Sequence, residues 1–147
     1  MKAGIIGLGN LGTPIAENLL MKTNQLFVFN RSASKSAPLV AKGACLCHSV
    51  KELASSCDIV FSVVSNDAAL KEITEGNEGI AANLKPGGIH ISISTILPAT
   101  AKALSQLHQQ NSNHYLFRTS NPNAASKCFF QLNKNTSQSL QLAIVWS

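Results

Sequence analysis

The sequence predicts an α/β fold in which helices cover both faces of a doubly wound parallel sheet. Two observations support this prediction: short apolar segments alternate with amphipathic segments, and a glycine-rich turn joins the first apolar segment to the first amphipathic one. Strands that alternate with helices form parallel sheets with right-handed crossovers. We expect strands near residues 2–6, 25–29, 44–47, 58–64, 89–93 and 114–117.

The glycine-rich turn is the strongest functional signal in the chain. Gly7, Gly9 and Gly12 form the pattern G-x-G-x-x-G directly after the apolar segment 2–6. In a strand-to-helix turn, the first glycine permits the tight bend, the second lets the backbone approach a pyrophosphate, and the third lets the helix pack close to the strand. The alternative is an ordinary glycine turn without a ligand. We predict that a dinucleotide contacts Gly7, Leu8, Gly9, Asn10, Leu11 and Gly12.

The end of the second strand indicates which dinucleotide binds. In folds that bind NAD, an acidic residue about 20 positions after the glycines holds the ribose 2′-hydroxyl. This chain instead has Asn30, Arg31 and Ser32 at that place, and Lys35 follows. Two cations without a carboxylate favour the 2′-phosphate of NADP(H), because guanidinium and ammonium groups pair with phosphate. The alternative is that Arg31 and Lys35 are ordinary solvated charges.

A second group of candidate residues follows the fourth predicted strand. Residues 58–64 form a continuous β-branched and aromatic segment, which is typical of a strand buried on both faces. Open α/β sheets bind ligands at the carboxyl ends of their strands. We therefore predict that Val64, Ser65 and Asn66 contact the cofactor.

A third group follows the fifth predicted strand. The turn signal at residues 85–88 precedes the apolar segment 89–93, so Ser94 and Thr95 lie at the carboxyl end of that strand. Their hydroxyls can donate to a carboxamide or a carboxylate. We predict that Thr95 contacts the cofactor and Ser94 the substrate. The alternative is that Thr95 or its neighbour caps the helix that begins near Pro98.

Four segments in this order resemble the β-hydroxyacid dehydrogenase family, which contains 3-hydroxyisobutyrate dehydrogenases and has 6-phosphogluconate dehydrogenase and the imine reductases as relatives. The resemblance implies a Rossmann-type NADP(H)-binding domain over residues 1–117, in which the Ser-Thr pair meets the nicotinamide and the substrate. It also implies hydride transfer to or from a small hydroxy or oxo acid. Ser92 departs from the family, which usually has an aspartate there. The four segments are 7–19, 30–35, 63–67 and 87–98.

The atypical tail, residues 118–147, does not follow the family pattern. It contains no glycine and no acidic residue, and neither Lys127 nor Lys134 stands in the G-x-x-x-K-x-x-N setting of the family's catalytic lysine. We therefore assign no catalytic residue and expect no C-terminal helical domain. Our hypothesis is that the reading frame departs from its ancestor near residue 117, which gives a truncated product. We expect the tail either to complete the sheet or to be disordered.

Two functions from different classes stay open at this point. The first is an NADP-dependent oxidoreductase, similar to 3-hydroxyisobutyrate dehydrogenases or to imine reductases. The second is a non-catalytic fragment that holds the dinucleotide but lacks the group that protonates a developing alkoxide. Binding of NADP(H) is common to both.

Composition limits the other classes of function. The net charge is +5, but the basic residues are scattered, so we expect no nucleic-acid partner. The apolar segments are shorter than the roughly 20 residues of a membrane span, so we expect a cytoplasmic protein without membrane contact. The charged fraction of 13% is low for a free-standing surface, which leaves a homo-oligomer open.

The cysteines and histidines predict no metal site. Cys45, Cys47 and His48 alternate along a short strand segment and have no second ligand pair at a standard spacing. Cytoplasmic cysteines stay reduced, so we expect free thiols. His90 lies inside a strand pattern, and we expect it to be a core or surface residue and not a base.

Overall fold

The computed structural model describes residues 1–117 of the chain. Six helices surround the sheet: α1 (Gly12–Lys22), α2 (Ala37–Ala41), α3 (Val50–Ser56), α4 (Asp67–Thr74), α5 (Ile80–Asn83) and α6 (Pro98–Gln110). The strands are β1 (Lys2–Ile6), β2 (Gln25–Phe29), β3 (Cys45–Leu46), β4 (Ile59–Ser62), β5 (Ile89–Ser92) and β6 (His114–Phe117). The predictions for the tail, including those for Lys127 and Lys134, lie outside the described residues.

All strand pairs are parallel, and the order across the sheet is β3-β2-β1-β4-β5-β6. The chain therefore winds outward from β1 in both directions, which confirms the predicted doubly wound α/β fold. In the register, Ile5 of β1 lies opposite Val28 of β2 and Phe61 of β4. The reversal of winding between β1 and β4 opens a crevice at their carboxyl ends, the usual ligand site of such sheets.

The hydrophobic core lies on both faces of the sheet, because successive residues of a strand point to opposite sides. Ile5 packs in the cluster beneath α1, and the adjacent Ile6 packs in the cluster beneath α3 and α5. A third cluster joins α4, α6 and β6 around Leu70, Leu104 and Tyr115. Every residue of β4 and β5 is buried, as expected for central strands that helices cover on both sides.

The predicted strand boundaries differ from the observed ones at the end of β4. Regular pairing stops at Ser62, so Val63 and Val64 belong to the loop that follows. The amide of Val63 still donates to the Ile6 carbonyl at 2.8 Å. The sheet therefore holds the first residue of this loop in place beside β1.

A chain of hydrogen-bonded polar side chains crosses the core behind the crevice. Ser62 Oγ lies 2.8 Å from His90 Nε2, and His90 Nδ1 lies 3.0 Å from His108 Nε2. His108 Nδ1 lies 2.5 Å from Asn113 Oδ1. All four side chains are buried, and their hydrogen bonds connect β4, β5, α6 and the start of β6. His90 is thus a core histidine, as predicted.

The hydrogen-bond partners of Asn113 determine which nitrogen of each histidine carries a proton. Asn113 Nδ2 donates to the carbonyls of Ala81 and Leu84, so Asn113 Oδ1 accepts the proton of His108 Nδ1. His108 Nε2 then accepts from His90 Nδ1, and His90 Nε2 accepts from the hydroxyl of Ser62. Burial lowers the pKa of His108 to about 4 and that of His90 well below its ordinary value. Both imidazoles are neutral, and each has one defined tautomer.

Candidate functional site

The three glycines of the turn have different surroundings at the carboxyl end of β1. Gly7 has a φ of +96°, and a side chain there would collide with the Val63 carbonyl oxygen. A Cβ on Gly12 would collide with the Gly7 carbonyl oxygen. Around Gly9, in contrast, no atom lies within 4 Å of the place a Cβ would take. Two glycines are therefore required by the fold itself, and Gly9 leaves space in which a ligand can approach the backbone.

The turn before α1 presents unpaired backbone donors to that space. Within residues 1–117, the amides of Gly9, Asn10 and Leu11 donate to no protein acceptor. Leu11 is the N-cap residue and makes no side-chain cap, and no acidic residue lies in the first turn of α1. The positive end of the helix dipole is therefore not neutralised locally. This arrangement suits a phosphate or pyrophosphate group.

The backbone polar groups of Leu8 already have partners within the protein. Its amide donates to Asn30 Oδ1 at 2.9 Å, and its carbonyl accepts from Thr13 Oγ1 at 3.2 Å. Its side chain is only 2% exposed and packs in the core. Leu8 therefore shapes the turn, and its amide already has an acceptor within the protein, while its predicted contact with a cofactor stays a prediction.

Asn30 connects the glycine turn to the segment that carries the predicted phosphate ligands. Asn30 Oδ1 accepts from the Leu8 amide, and Asn30 Nδ2 donates to the Ser32 carbonyl at 3.0 Å. The Gly7 amide donates to the Phe29 carbonyl at 3.1 Å and adds a second link. The side chain of Asn30 thus holds the two loops at a fixed distance, so its direct contact is with protein.

Arg31 and Lys35 extend from this segment into solvent, and Arg31 has a partner that the sequence did not indicate. Arg31 Nη2 lies 2.9 Å from Glu72 Oε2 on α4, and the two side chains are 82% and 64% exposed. Lys35 lies exposed in a short 3-10 turn, Ala33–Ser36. Ser32 is also exposed, so its hydroxyl is accessible beside the two cations.

The loop after β4 is held by Ser94, which follows β5. Ser94 Oγ donates to the Val64 carbonyl at 2.7 Å and accepts from the Val64 amide at 2.9 Å. Its single proton is therefore engaged inside the protein, and Ser94 cannot donate to a substrate in this arrangement. Asn66 Oδ1 accepts from the Ala69 amide at 2.8 Å and caps α4. Of the predicted residues in this loop, Ser65 has an exposed hydroxyl.

Thr95 is exposed, and it does not cap the helix that follows. The residue before α6 is Leu97, whose amide donates to Asp67 Oδ2 at 3.1 Å. A hydrogen bond from the Thr100 hydroxyl, followed by the one from Leu97, lowers the pKa of Asp67. Asp67 on α4 therefore serves the start of α6, and the hydroxyl of Thr95 stays accessible at the crevice.

The remaining candidate chemistry lies away from this edge. Burial raises the pKa of the Cys47 thiol to about 11 and that of Cys57 to about 12. Among residues 1–117, no three His, Cys, Asp or Glu side chains converge in a way that could hold a metal ion. No helix in this part of the chain has the length and apolarity needed to cross a bilayer.

The strand order, the glycine turn and its unpaired amides together define a dinucleotide-binding Rossmann domain. Comparison with protein families agrees: the model for the NAD binding domain of 6-phosphogluconate dehydrogenase matches residues 2–117. The chain belongs to this family, which also includes 3-hydroxyisobutyrate dehydrogenase-like proteins. The expectation drawn from the sequence motifs is thus confirmed.

Two curated relatives show how far the similarity extends. YfjR, named as an oxidoreductase of Bacillus subtilis, is 35% identical over 134 residues, which cover 90% of this chain and 47% of YfjR. The nuclear factor N-PAC of Danio rerio is 33% identical over 115 residues, which cover 78% of this chain and 25% of N-PAC. The chain thus spans less than half the length of either protein. The match to YfjR extends beyond residue 117, farther than the resemblance was expected to reach.

Solved structures agree with the fold. Psf3 in complex with NADP+ and 2-OPP superposes with a TM-score of 0.73 at 30% identity, over 78% of this chain and 40% of that protein. A 3-hydroxyisobutyrate dehydrogenase from Salmonella typhimurium gives a TM-score of 0.73 at 27% identity, over 79% of this chain and 40% of its own. The chain therefore corresponds to the NAD(P)-binding portion of these larger proteins.

Proposed function

We propose that the chain binds NADP(H) in preference to NAD(H). The observation that carries this proposal is the segment after β2, where Arg31 and Lys35 are exposed and no carboxylate follows the strand. Asn30 holds this segment against the glycine turn, so a nucleotide with its pyrophosphate at Gly9 would place its ribose near the two cations. A 2′-phosphate gains charge-assisted hydrogen bonds there, whereas a 2′-hydroxyl gains less.

The remaining exposed groups suit the other parts of the cofactor. The amides of Gly9, Asn10 and Leu11 would bind the pyrophosphate, and the open space at Gly9 allows that approach. Ser65 and Thr95 have exposed groups on the β4–β5 side, where the nicotinamide would lie. Ser94 and Asn66 would act indirectly, because they hold the backbone of the β4 loop and the start of α4 in place.

For the reaction, we propose oxidation or reduction of a small hydroxy or oxo acid by a larger protein unit that contains this domain. The similarity to an oxidoreductase and to a 3-hydroxyisobutyrate dehydrogenase supports this class. A bound nicotinamide supplies or accepts the hydride. Reduction of a carbonyl also needs a proton donor, and none of the residues proposed to contact the cofactor at this edge within residues 1–117 is proposed for that role.

A non-catalytic dinucleotide-binding role is the second candidate. It is favoured by the similarity to N-PAC, which is named as a nuclear factor and not as an enzyme. The two candidates share the cofactor site and differ in turnover. A reduction assay with NADPH and small aldehydes or oxo acids, carried out on the protein unit that contains this domain, separates them, because only the first candidate consumes NADPH.

A fluorescence titration with NADPH and NADH tests the cofactor proposal. We expect the chain to bind NADPH at least tenfold more tightly than NADH, and Arg31→Ala to remove most of this preference, since an ion pair with phosphate is lost. Lys42→Ala is a matched control, because Lys42 is an exposed cation in an exposed ion pair with Glu17 at 2.7 Å, on the loop that leads into β3. Equal binding of both nucleotides by the unmodified chain contradicts the proposal.

A further inference from the structure

We propose that Glu72 sets the strength of the preference for a 2′-phosphorylated nucleotide by competing with the phosphate for Arg31. This inference rests on the proposed function, because it assumes that Arg31 faces the 2′-position. It assigns a specificity-determining role to a residue on α4, an element in which the motifs of the sequence indicate no such role.

The position of the ion pair supports this role. Arg31 follows β2, and Glu72 belongs to α4, which follows β4. Since β2 and β4 flank β1 in the sheet, the contact between Arg31 Nη2 and Glu72 Oε2 spans the carboxyl end of β1. The adenosine part of a dinucleotide on the glycine turn would lie at this end. Glu72 therefore places a carboxylate beside the region that a 2′-phosphate would enter.

The chemistry of the guanidinium explains why Glu72 tunes binding and does not abolish it. Arginine has five N–H donors in a planar fork, and the distance of 2.9 Å shows that one of its terminal nitrogens is engaged with Glu72. A phosphate must either displace this carboxylate or use the remaining donors next to it. Both routes weaken phosphate binding, because a phosphate dianion and a carboxylate repel each other at short range.

The exposure of both side chains limits the size of the effect. At 82% and 64% exposure the pair lies in high dielectric, where ion pairs contribute little and are screened by salt. Glu72 therefore lowers the affinity for a 2′-phosphate severalfold. A nucleotide with a 2′-hydroxyl brings no charge to this place, so Glu72 affects it little.

The test is a titration of the full chain with NADPH and with NADH, comparing the unmodified protein, Arg31→Ala, Glu72→Gln and Glu75→Gln. Glutamine keeps the size and the hydrogen-bonding capacity of Glu72 but removes its charge. We expect Glu72→Gln to tighten NADPH binding about fivefold and to change NADH binding less than twofold. Glu75→Gln removes an exposed charge one residue after α4 and should leave both affinities unchanged. At high salt the effect of Glu72→Gln should shrink.

Each other outcome has a defined meaning. If Glu72→Gln leaves NADPH binding unchanged or weakens it, Glu72 does not compete with the phosphate and the inference is wrong. If both nucleotides bind more tightly by the same factor, Glu72 obstructs the nucleotide in general, and the specificity role is also wrong. If the unmodified chain shows no preference for NADPH and Arg31→Ala changes nothing, the proposed function itself fails. The two failures are therefore distinguishable in one set of titrations.

Discussion

The carboxyl ends of the strands form one edge of the sheet, and the two halves of this edge differ in whether their polar groups already have partners within the protein. On the β1–β2 side, the amides before α1 have no protein acceptor within residues 1–117, and Arg31 is exposed. On the β4–β5 side, the side-chain oxygens of Ser94 and Asn66 bind backbone amides. Polar residues that the sequence assigned to one site thus fall into two groups. One group is available to a ligand, and the other fixes the loops that surround it.

The largest expected effect concerns the glycine turn, where one glycine is required by the fold and another leaves space for a ligand. We expect Gly7→Ala to lower the free energy of unfolding by about 4 kcal/mol, because a methyl group there collides with the Val63 carbonyl at a φ of +96°. Gly9→Ala should change stability by less than about 1 kcal/mol, since the space around it is open, but should weaken NADPH binding. Urea unfolding and nucleotide titration measure the two quantities. Similar unfolding curves for both variants would contradict the division.

The next effect is a pH dependence of the free energy of unfolding, which comes from the buried histidines behind the β4–β5 side. The pKa of His108 is about 4 in the folded chain and 6.5 in the absence of burial, so the unfolded chain binds more protons between these values. Stability is therefore fully present above about pH 6.5 and is lost as the pH falls toward 4. His108 alone contributes about 3 kcal/mol to this loss. We expect urea unfolding at pH 7, 5.5 and 4.5 to show a stability that decreases from the highest pH to the lowest.

Two controls isolate the contribution of His108. His108→Gln should reduce the pH dependence of stability between pH 6.5 and 4.5 and leave the contribution of His90, whose pKa burial also lowers, whereas the exposed His48→Gln should leave the pH dependence as it is in the unmodified chain. The NMR titration of the folded protein is independent of the stability of either variant. A resonance of His108 that titrates near pH 6.5 would show that its imidazole is not held neutral by the fold.

The fold was predictable from the sequence because each strand is a local pattern. The strands β1, β2 and β6 have the expected bounds, and their alternation with helices determines a parallel sheet. The roles of Gly7 and Gly12 were also predictable, since a tight turn and a close helix contact follow from the motif itself. Local spacing is sufficient for features of this kind.

The contacts that decide which groups are available were not predictable in this way. Arg31 and Glu72 are 41 residues apart in the sequence, and Ser94 is 30 residues from its partner Val64. Such pairs depend on which strands are neighbours and on where β4 ends, and neither has a local signature. The sequence therefore indicated the residue types of the site, and the structure shows which of them other parts of the protein already engage.

A smaller effect is expected at Ser94, where the sequence indicated a substrate contact. Ser94→Ala removes both hydrogen bonds to the Val64 backbone and should lower the free energy of unfolding by about 2 kcal/mol. Thr95→Ala removes an exposed hydroxyl from the next residue and should leave stability within about 0.5 kcal/mol. Urea unfolding of the two variants measures this difference. A neutral Ser94→Ala would return Ser94 to the group of residues available to a ligand.

The smallest effect separates capping from ligand contact at Asn66. Asn66→Ala should cost about 1 kcal/mol of stability, because the amide of Ala69 loses its acceptor at the start of α4. Asn66→Asp keeps the acceptor and places a negative charge at the helix N-terminus, so urea unfolding should show stability restored or slightly raised. If Asn66 serves only as a cap, Asn66→Asp also retains NADPH binding in the same titration. Weaker binding by Asn66→Asp with intact stability would show that the side chain at position 66 lies close enough to the cofactor to act on it, and Asn66 would then join the residues that are available to a ligand.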